Sequence, residues 1–296
     1  MDDDHPFDRT ESGPGTLWHS LPEPKNRGLF RKSTPPEPEP RPRPAGPARL
    51  RVVTSLPIPP RTRIADAPPA DAWAALRGAR LPLDMAGAND AAVERAFDDL
   101  RTRLLKHMRS HALSRIAIAA PTAGCGTTFT AVNLAHSFAT VPGLRTVLMD
   151  MNLHRPGVAR ALRLSGPDDM RGFLAGQRPP EAHFLRLSDT LATGLARRSD
   201  QPVAGLLNSD ACALAVSAML DRLQPGVLLC DMPPVLERDD LAAFLPQVDG
   251  VVLVADATRT RPEHITACED RLAGQTQILG VVLNLARRTG PEPVHA

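Results

Sequence analysis

Residues 115–135 read RIAIAAPTAGCGTTFTAVNLA. The apolar run RIAIAA has the length and composition of a buried strand. PTAGCGTT then brings glycines to a turn, and Thr128 to Phe138 continues with helical spacing. A strand, a glycine-rich turn and a helix in that order offer free backbone N–H groups and the positive end of a helix dipole to an anion. Against the phosphate-loop pattern G-x-x-x-x-G-K-[ST], Pro121 stands at the first glycine and Thr127 at the lysine. Thr128 stands at the hydroxyl residue that ligates Mg2+. Taken alone, the stretch is either a phosphate loop without its lysine or a tight turn of similar outline.

Further apolar runs follow at intervals: RTVLMD (145–150), DTLATG (189–194), GVLLCD (226–231), GVVLVAD (250–256) and ILGVVLN (278–284). Helical patterns lie between them, at Asp210 to Leu223 and Pro262 to Leu272. Upstream, NDAAVERAFDDLRTRLLKHM sets Val93, Phe97, Leu100, Leu104 and Leu105 on one stripe. Short, nearly continuous apolar strands alternating with helices predict an α/β fold, a doubly wound, mostly parallel sheet covered on both faces. Ligands in such folds bind beyond the carboxyl ends of the strands. PTAGCGTT, DMNLHRP (150–156) and DMPPVL (231–236) all fall there. Asp150 and Asp231 are thus expected to end neighbouring strands beside the loop, where carboxylates hold Mg2+ directly or through water. Aspartate also caps strand ends in α/β proteins generally.

The chain has 296 residues, a formal net charge of +2, four cysteines and no tyrosine. That charge balance gives no electrostatic case for nucleic acid. No apolar run reaches the roughly 18 residues of a membrane helix, and the acidic start MDDDHPFD lacks the pattern of a secretory signal. Cys125, Cys212, Cys230 and Cys268 show neither CxxC pairing nor metal-ligand spacing, which suits a reducing cytoplasm. Residues 1–83 hold the proline-rich run STPPEPEPRPRPAGPARLR and are expected to be a disordered tail or linker. The segment LRVVTSLPIP (50–59) is apolar enough to add a strand to a sheet. Residues 84–290 form the expected domain and 291–296 a short tail.

In order and spacing, PTAGCGTTFTAVNLA, VLMDMNLHRPGVARAL, RGFLAG, the run from VLLCDMPPVL to GVVLVAD, and LGVVLN resemble the bacterial tyrosine kinases. These P-loop proteins lie within the Min/Par-type ATPase group and regulate polymerisation and export of capsular and extracellular polysaccharide. The resemblance covers about Asp90 to Arg288; DMPPVL and LRTR (100–103) favour the kinase branch. It implies ATP or ADP with Mg2+ bound by Gly124, Cys125, Gly126, Thr127, Thr128 and Phe129. It implies a base contact from Asn284 (for which capping a strand end is an equal explanation), metal contacts from Thr128, Asp150 and Asp231, and catalytic roles for Asp150 and Asp231. It further implies a cytoplasmic protein, recruited to the inner membrane by a membrane-bound chain-length regulator, and a possible homo-oligomer.

The sequence departs from that pattern where chemistry is concentrated. Thr127 replaces the lysine. The second motif, D-x-D-x-R in the family, reads Asp150-Met151-Asn152-Leu153-His154, and an amide cannot take a proton from a hydroxyl. With no tyrosine in the chain, the family's self-phosphorylated C-terminal cluster cannot exist. The glutamate–arginine–arginine helix pattern tied to ring assembly reads Arg95, Asp98, Arg101. No lysine follows Lys106, so a substitute cation must be arginine, with Arg155, Arg259 and Arg261 near strand ends. A charged hydrogen bond contributes about 1.5–3 kcal/mol, so losing the lysine weakens nucleotide binding roughly 10- to 150-fold. Turnover suffers more, because phosphoryl transfer depends on positioned charge. The expectation is a nucleotide-binding regulator with weak or no kinase activity. The alternatives are an active ATPase or kinase using arginine, a Min/Par-type positioning ATPase, or a nucleotide-free scaffold.

Overall fold

The computed structural model describes residues 70–79, 91–166 and 168–286. Residues 1–69 and 287–296, with LRVVTSLPIP and most of the proline-rich stretch, lie outside the described residues, as does the expected boundary at 84.

Among the described residues, eight strands form one sheet: β1 (Arg77–Gly78), β2 (Arg115–Ala119), β3 (Thr146–Asp150), β4 (Leu185–Arg186), β5 (Leu191–Gly194), β6 (Val227–Asp231), β7 (Gly250–Asp256) and β8 (Gln277–Asn284). Their spatial order is β1-β4-β5-β3-β6-β2-β7-β8. All neighbours run parallel except the short hairpin β4–β5. The fold is the doubly wound, mostly parallel α/β arrangement read from the sequence.

Alternation along the central strands shows why both faces are covered. Ala117 and Ala119 of β2, Val147 and Met149 of β3, Leu228 and Cys230 of β6, and Val251 and Leu253 of β7 point into one core. Their neighbours Ile116, Ile118, Leu148, Val227, Leu229, Val252 and Val254 point into the other. The first core is closed by the helices Asp210–Leu223 and Pro262–Leu272 through residues such as Val216, Met219 and Leu272. The second is closed by Ala91–Ser110 and Thr127–Ala139, through Phe97, Leu104, Leu134 and Phe138. Because these strands have no solvent face, they read as apolar runs rather than as alternating ones.

One part of the sheet departs from the sequence reading. Residues 70–79, assigned there to the tail, form a helix, Ala70–Ala74, and the edge strand β1. β1 pairs with β4, a strand the sequence reading also lacked. Trp73 anchors the segment: it is only 2% exposed, and the Arg145 guanidinium lies 4.9 Å from its ring centroid. Its indole N–H donates to the Ser188 carbonyl at 3.4 Å. Strands of two residues carry no periodicity to detect, and one aromatic in an alanine-rich run is a weak signal.

The two ends of the sheet are built differently. At the amino ends of β2 and β7, Arg115 and Asp249 are buried together, with Nη2 to Oδ1 at 2.7 Å. Asp249 Oδ2 also accepts the backbone N–H groups of Ser114 and Arg115, both at 2.9 Å. The carboxyl ends of β2, β3, β6 and β7 hold the loop described next.

Candidate functional site

The turn after β2 is a glycine-lined cradle at the start of a helix. Gly124 (φ 85°) and Gly126 (φ 90°) both adopt left-handed backbone, a region that costs other residues about 1–2 kcal/mol. Gly126 is the N-cap of Thr127–Ala139, with no side chain capping the first turn. A helix start without a side-chain cap leaves first-turn N–H groups available to an anion. Thr127 is the first residue of the helix, so no cation reaches the cradle from the lysine position.

Thr128 turns toward the sheet. Its hydroxyl donates to Asp231 Oδ2 at 2.6 Å. Asp150 and Asp231 are register partners on β3 and β6, so the two expected carboxylates do meet under the loop. Asp150 Oδ2 accepts the N–H groups of Gly157 and Val158, at 3.1 and 3.0 Å. Among the described residues, Oδ1 of each aspartate is buried without a hydrogen bond of good geometry; the Asn152 N–H lies close enough to the Asp150 carboxyl to favour its charged form, but is not aligned to satisfy it. Burial pushes the Asp150 carboxyl up to about 7, and burial and the neighbouring Asp150 charge raise Asp231 well above the carboxylate range. Gly157 closes the group: a Cβ there would meet Thr128 Oγ1 at 2.8 Å.

These donors fit a hard cation of the Mg2+ type, which takes a hydroxyl, one or two carboxylates, phosphate oxygens and water. Among the described residues no three His, Cys, Asp or Glu side chains form a metal cage of their own, so most ligands would come from phosphate and water.

On its other flank the loop is held by the protein itself. Asn284, at the end of β8, donates Nδ2–H to the Cys125 carbonyl at 2.9 Å, and its Oδ1 accepts the Leu285 N–H at 2.9 Å. A Cβ on Gly126 would collide with the same Asn284 amide nitrogen. Asn284 thus braces the loop and caps its own strand; its amide faces the loop backbone. The Cys125 thiol is buried and donates to the Thr122 carbonyl at 3.2 Å, so this cysteine belongs to the turn's internal packing. Phe129 packs edge-on against Phe97, with ring centroids 5.8 Å apart, joining the loop helix to the helix before β2.

Three contacts were not anticipated. Glu237, beyond DMPP, accepts the Ala123 N–H at 2.7 Å, a contact across 114 residues that no local pattern signals. Asn152 accepts the Arg155 N–H at 3.2 Å through its side chain, so this amide shapes the turn after β3. His154 Nε2 lies 3.2 Å from Asp240 Oδ2, although this oxygen has no partner in hydrogen-bonding geometry. His154, Arg155, Arg198, Glu237 and Arg238 border a cleft of about 490 Å3 next to the loop. At the helix before β2, Arg101 Nη1 donates to Thr140 Oγ1 at 2.9 Å and Ser137 Oγ donates to Asp98 Oδ1 at 2.6 Å. Two of the three positions of the ring-assembly pattern are therefore engaged within the chain.

No protein-family profile and no curated protein matches the chain. Solved structures do. The VpsO kinase domain is 24% identical over 68% of this chain and 100% of that one, with a TM-score of 0.58. The kinase domain of the Escherichia coli tyrosine kinase ETK is 22% identical over 78% and 92%, with a TM-score of 0.62. The BceF tyrosine kinase domain is 22% identical over 75% and 92%, with a TM-score of 0.57. The chain has the fold of the bacterial tyrosine-kinase domains. At these identities the likeness concerns the fold. Among the described residues no helix is long and apolar enough to cross a membrane.

Proposed function

We propose that this protein is a nucleotide-binding regulator built on a bacterial tyrosine-kinase domain, with weak or no phosphoryl-transfer activity of its own. One observation carries the reading. The loop glycines and Thr128 lie beside two buried carboxylates, each with an Oδ1 lacking a well-aligned donor among the described residues. Buried polar atoms without partners are costly, and a ligand that supplies partners removes that cost. Gly124, Gly126, Thr127 and Thr128 would hold the phosphates of ATP or ADP through backbone N–H groups. Thr128, with Asp231 and Asp150, would hold Mg2+, which when bound neutralises phosphate charge.

The chemistry of transfer is what has been lost. Thr127 brings no charge, Asn152 is committed to a turn and is not a base, and the chain has no tyrosine to phosphorylate. Such a protein reports nucleotide state rather than turning it over. Its setting, by the same reading, is a polysaccharide polymerisation and export complex, with a membrane-bound chain-length regulator as partner at the cytoplasmic face. The proline-rich segment would serve as a tether.

The test pairs binding with turnover. The full chain is incubated with ATP and Mg2+, with and without the partner's cytoplasmic segment, and phosphate release is followed beside equilibrium binding. Saturable binding with turnover near background is expected. Rapid hydrolysis or transfer to the partner would make the protein an enzyme. No binding under either condition would leave only a scaffold.

A further inference from the structure

Loss of the lysine leaves the phosphate loop without a cation of its own, yet a cation lies against it. β7 outruns its partner β2, continuing past Leu253, the partner of Ala119, to Asp256, which pairs with Asn284 of β8. The turn that follows, ATRT (257–260), is tightly folded around Asp256. Its Oδ1 accepts the N–H and hydroxyl of Thr258, at 2.8 and 2.6 Å. The Asp256 N–H donates to Thr260 Oγ1 at 2.8 Å, and the Asp256 carbonyl accepts the N–H groups of Arg259 and Thr260. Arg259 is thereby aimed back over the loop. Its Nε donates to Asp256 Oδ2 at 2.7 Å and its Nη2 to the Gly124 carbonyl at 2.9 Å. The guanidinium lies so close to Gly124 that a Cβ there would meet Nη2 at 2.9 Å.

We propose that Arg259 is the phosphate-binding cation of this loop, taking over from β7 the charge that Thr127 cannot supply. The inference rests on the nucleotide reading above. A guanidinium has five N–H donors; two are used on Asp256 and Gly124, and the side chain is 60% exposed. Three donors therefore remain for phosphate oxygens, at a distance from the backbone fixed by two bonds. Planar, forked donors suit phosphate geometry. The other candidate arginines are placed differently. Arg155 borders the cleft beyond β3. Arg261 is the N-cap of Pro262–Leu272, its N–H donating to His264 Nδ1.

The experiment is a double-mutant cycle on the full chain, reading Mg·ADP affinity by calorimetry for the native protein, Arg259→Gln, Thr127→Lys and the double variant. Arg259→Lys serves as the conservative control. Arg259→Gln should weaken binding roughly 10- to 150-fold, the range expected for a charged hydrogen bond, and Arg259→Lys, which keeps the charge but not the fork, should fall between native and Arg259→Gln. Thr127→Lys should raise affinity far more in the Arg259→Gln background than in the native one, since the two cations serve the same phosphates. Equal binding by native protein and Arg259→Gln would overturn the inference and leave the nucleotide site standing. A weakened Arg259→Gln that Thr127→Lys does not restore would assign Arg259 to loop shape and overturn it too. Binding seen only in chains that carry Thr127→Lys would overturn both this inference and the nucleotide reading.

Discussion

The two ends of the sheet treat buried charge in opposite ways. At the amino ends, Asp249 is satisfied on both oxygens, by Arg115 and by two backbone N–H groups. At the carboxyl ends, 0% exposed Asp150 and Asp231 each keep one oxygen without a well-aligned donor among the described residues. Both ends are buried and both carry carboxylates, so burial alone does not mark a site. What differs is completion. The first end is a finished ion pair that fixes where β2 and β7 begin; the second is left short of donors beside a helix start that no side chain caps. A fold holds such an unfinished polar group at a cost in stability, and the proposed ligand would offset it.

The comparison predicts effects of different size and sign. The largest belongs to the finished end. Arg115→Ala leaves the Asp249 charge buried and should cost about 3–5 kcal/mol in urea unfolding, with any surviving folded protein binding nucleotide as before. Loss of binding without loss of stability would reverse the assignment of the two ends.

Next comes a group that is unpartnered but sealed. His183 is buried, stacked on Phe173 at 5.1 Å between ring centroids, and neither ring nitrogen has a partner among the described residues. Burial pushes its pKa down to about 4. Between pH 6.5 and 4 the unfolded chain binds the proton that the folded chain refuses, so the contribution of neutral His183 is full above pH 6.5 and is lost as pH falls through that window. The loss should reach about 3 kcal/mol near pH 4. His183→Leu should flatten this part of the pH–stability curve. An unchanged curve would show that the imidazole is hydrated in solution.

At the unfinished end the sign reverses. Asp231→Asn keeps an acceptor for Thr128 and relieves the crowding of Asp150, so the ligand-free protein should gain about 1–2 kcal/mol at pH 8. The same change should abolish any Mg2+ dependence of nucleotide binding. A destabilised Asp231→Asn would mean that the pair is satisfied without a ligand. The smallest effect belongs to the loop's brace. Asn284→Ala removes the bonds to Cys125 and Leu285 and should cost about 1 kcal/mol, with weaker Mg·ADP binding. Unchanged binding would show that the glycines alone hold the cradle.

Much of this was legible in the residues, for identifiable reasons. β7 and the helices Asp210–Leu223 and Pro262–Leu272 match their sequence-read limits, because fully buried strands and amphipathic helices of this length write their period into the chain. Asp150, Asp231 and Thr128 were legible because strand ends in a parallel sheet converge. Trp73, β1 and β4 were not, since two-residue strands leave no pattern. The loop's polar braces were illegible as contacts: Glu237 and Asn284 reach it from 114 and 159 residues away. Arg259 was visible only as one of three arginines; the turn around Asp256 is what selects it.

The central claim is that the loop still takes a nucleotide although its lysine is gone. The most direct measurement is calorimetric titration of the full native chain with ADP, in Mg2+ and in excess chelator. Saturable binding in Mg2+ that weakens markedly in chelator is expected, because in the proposed site Thr128, Asp150 and Asp231 would act through the metal. No heat of binding in either condition, from protein shown to be folded, would contradict it.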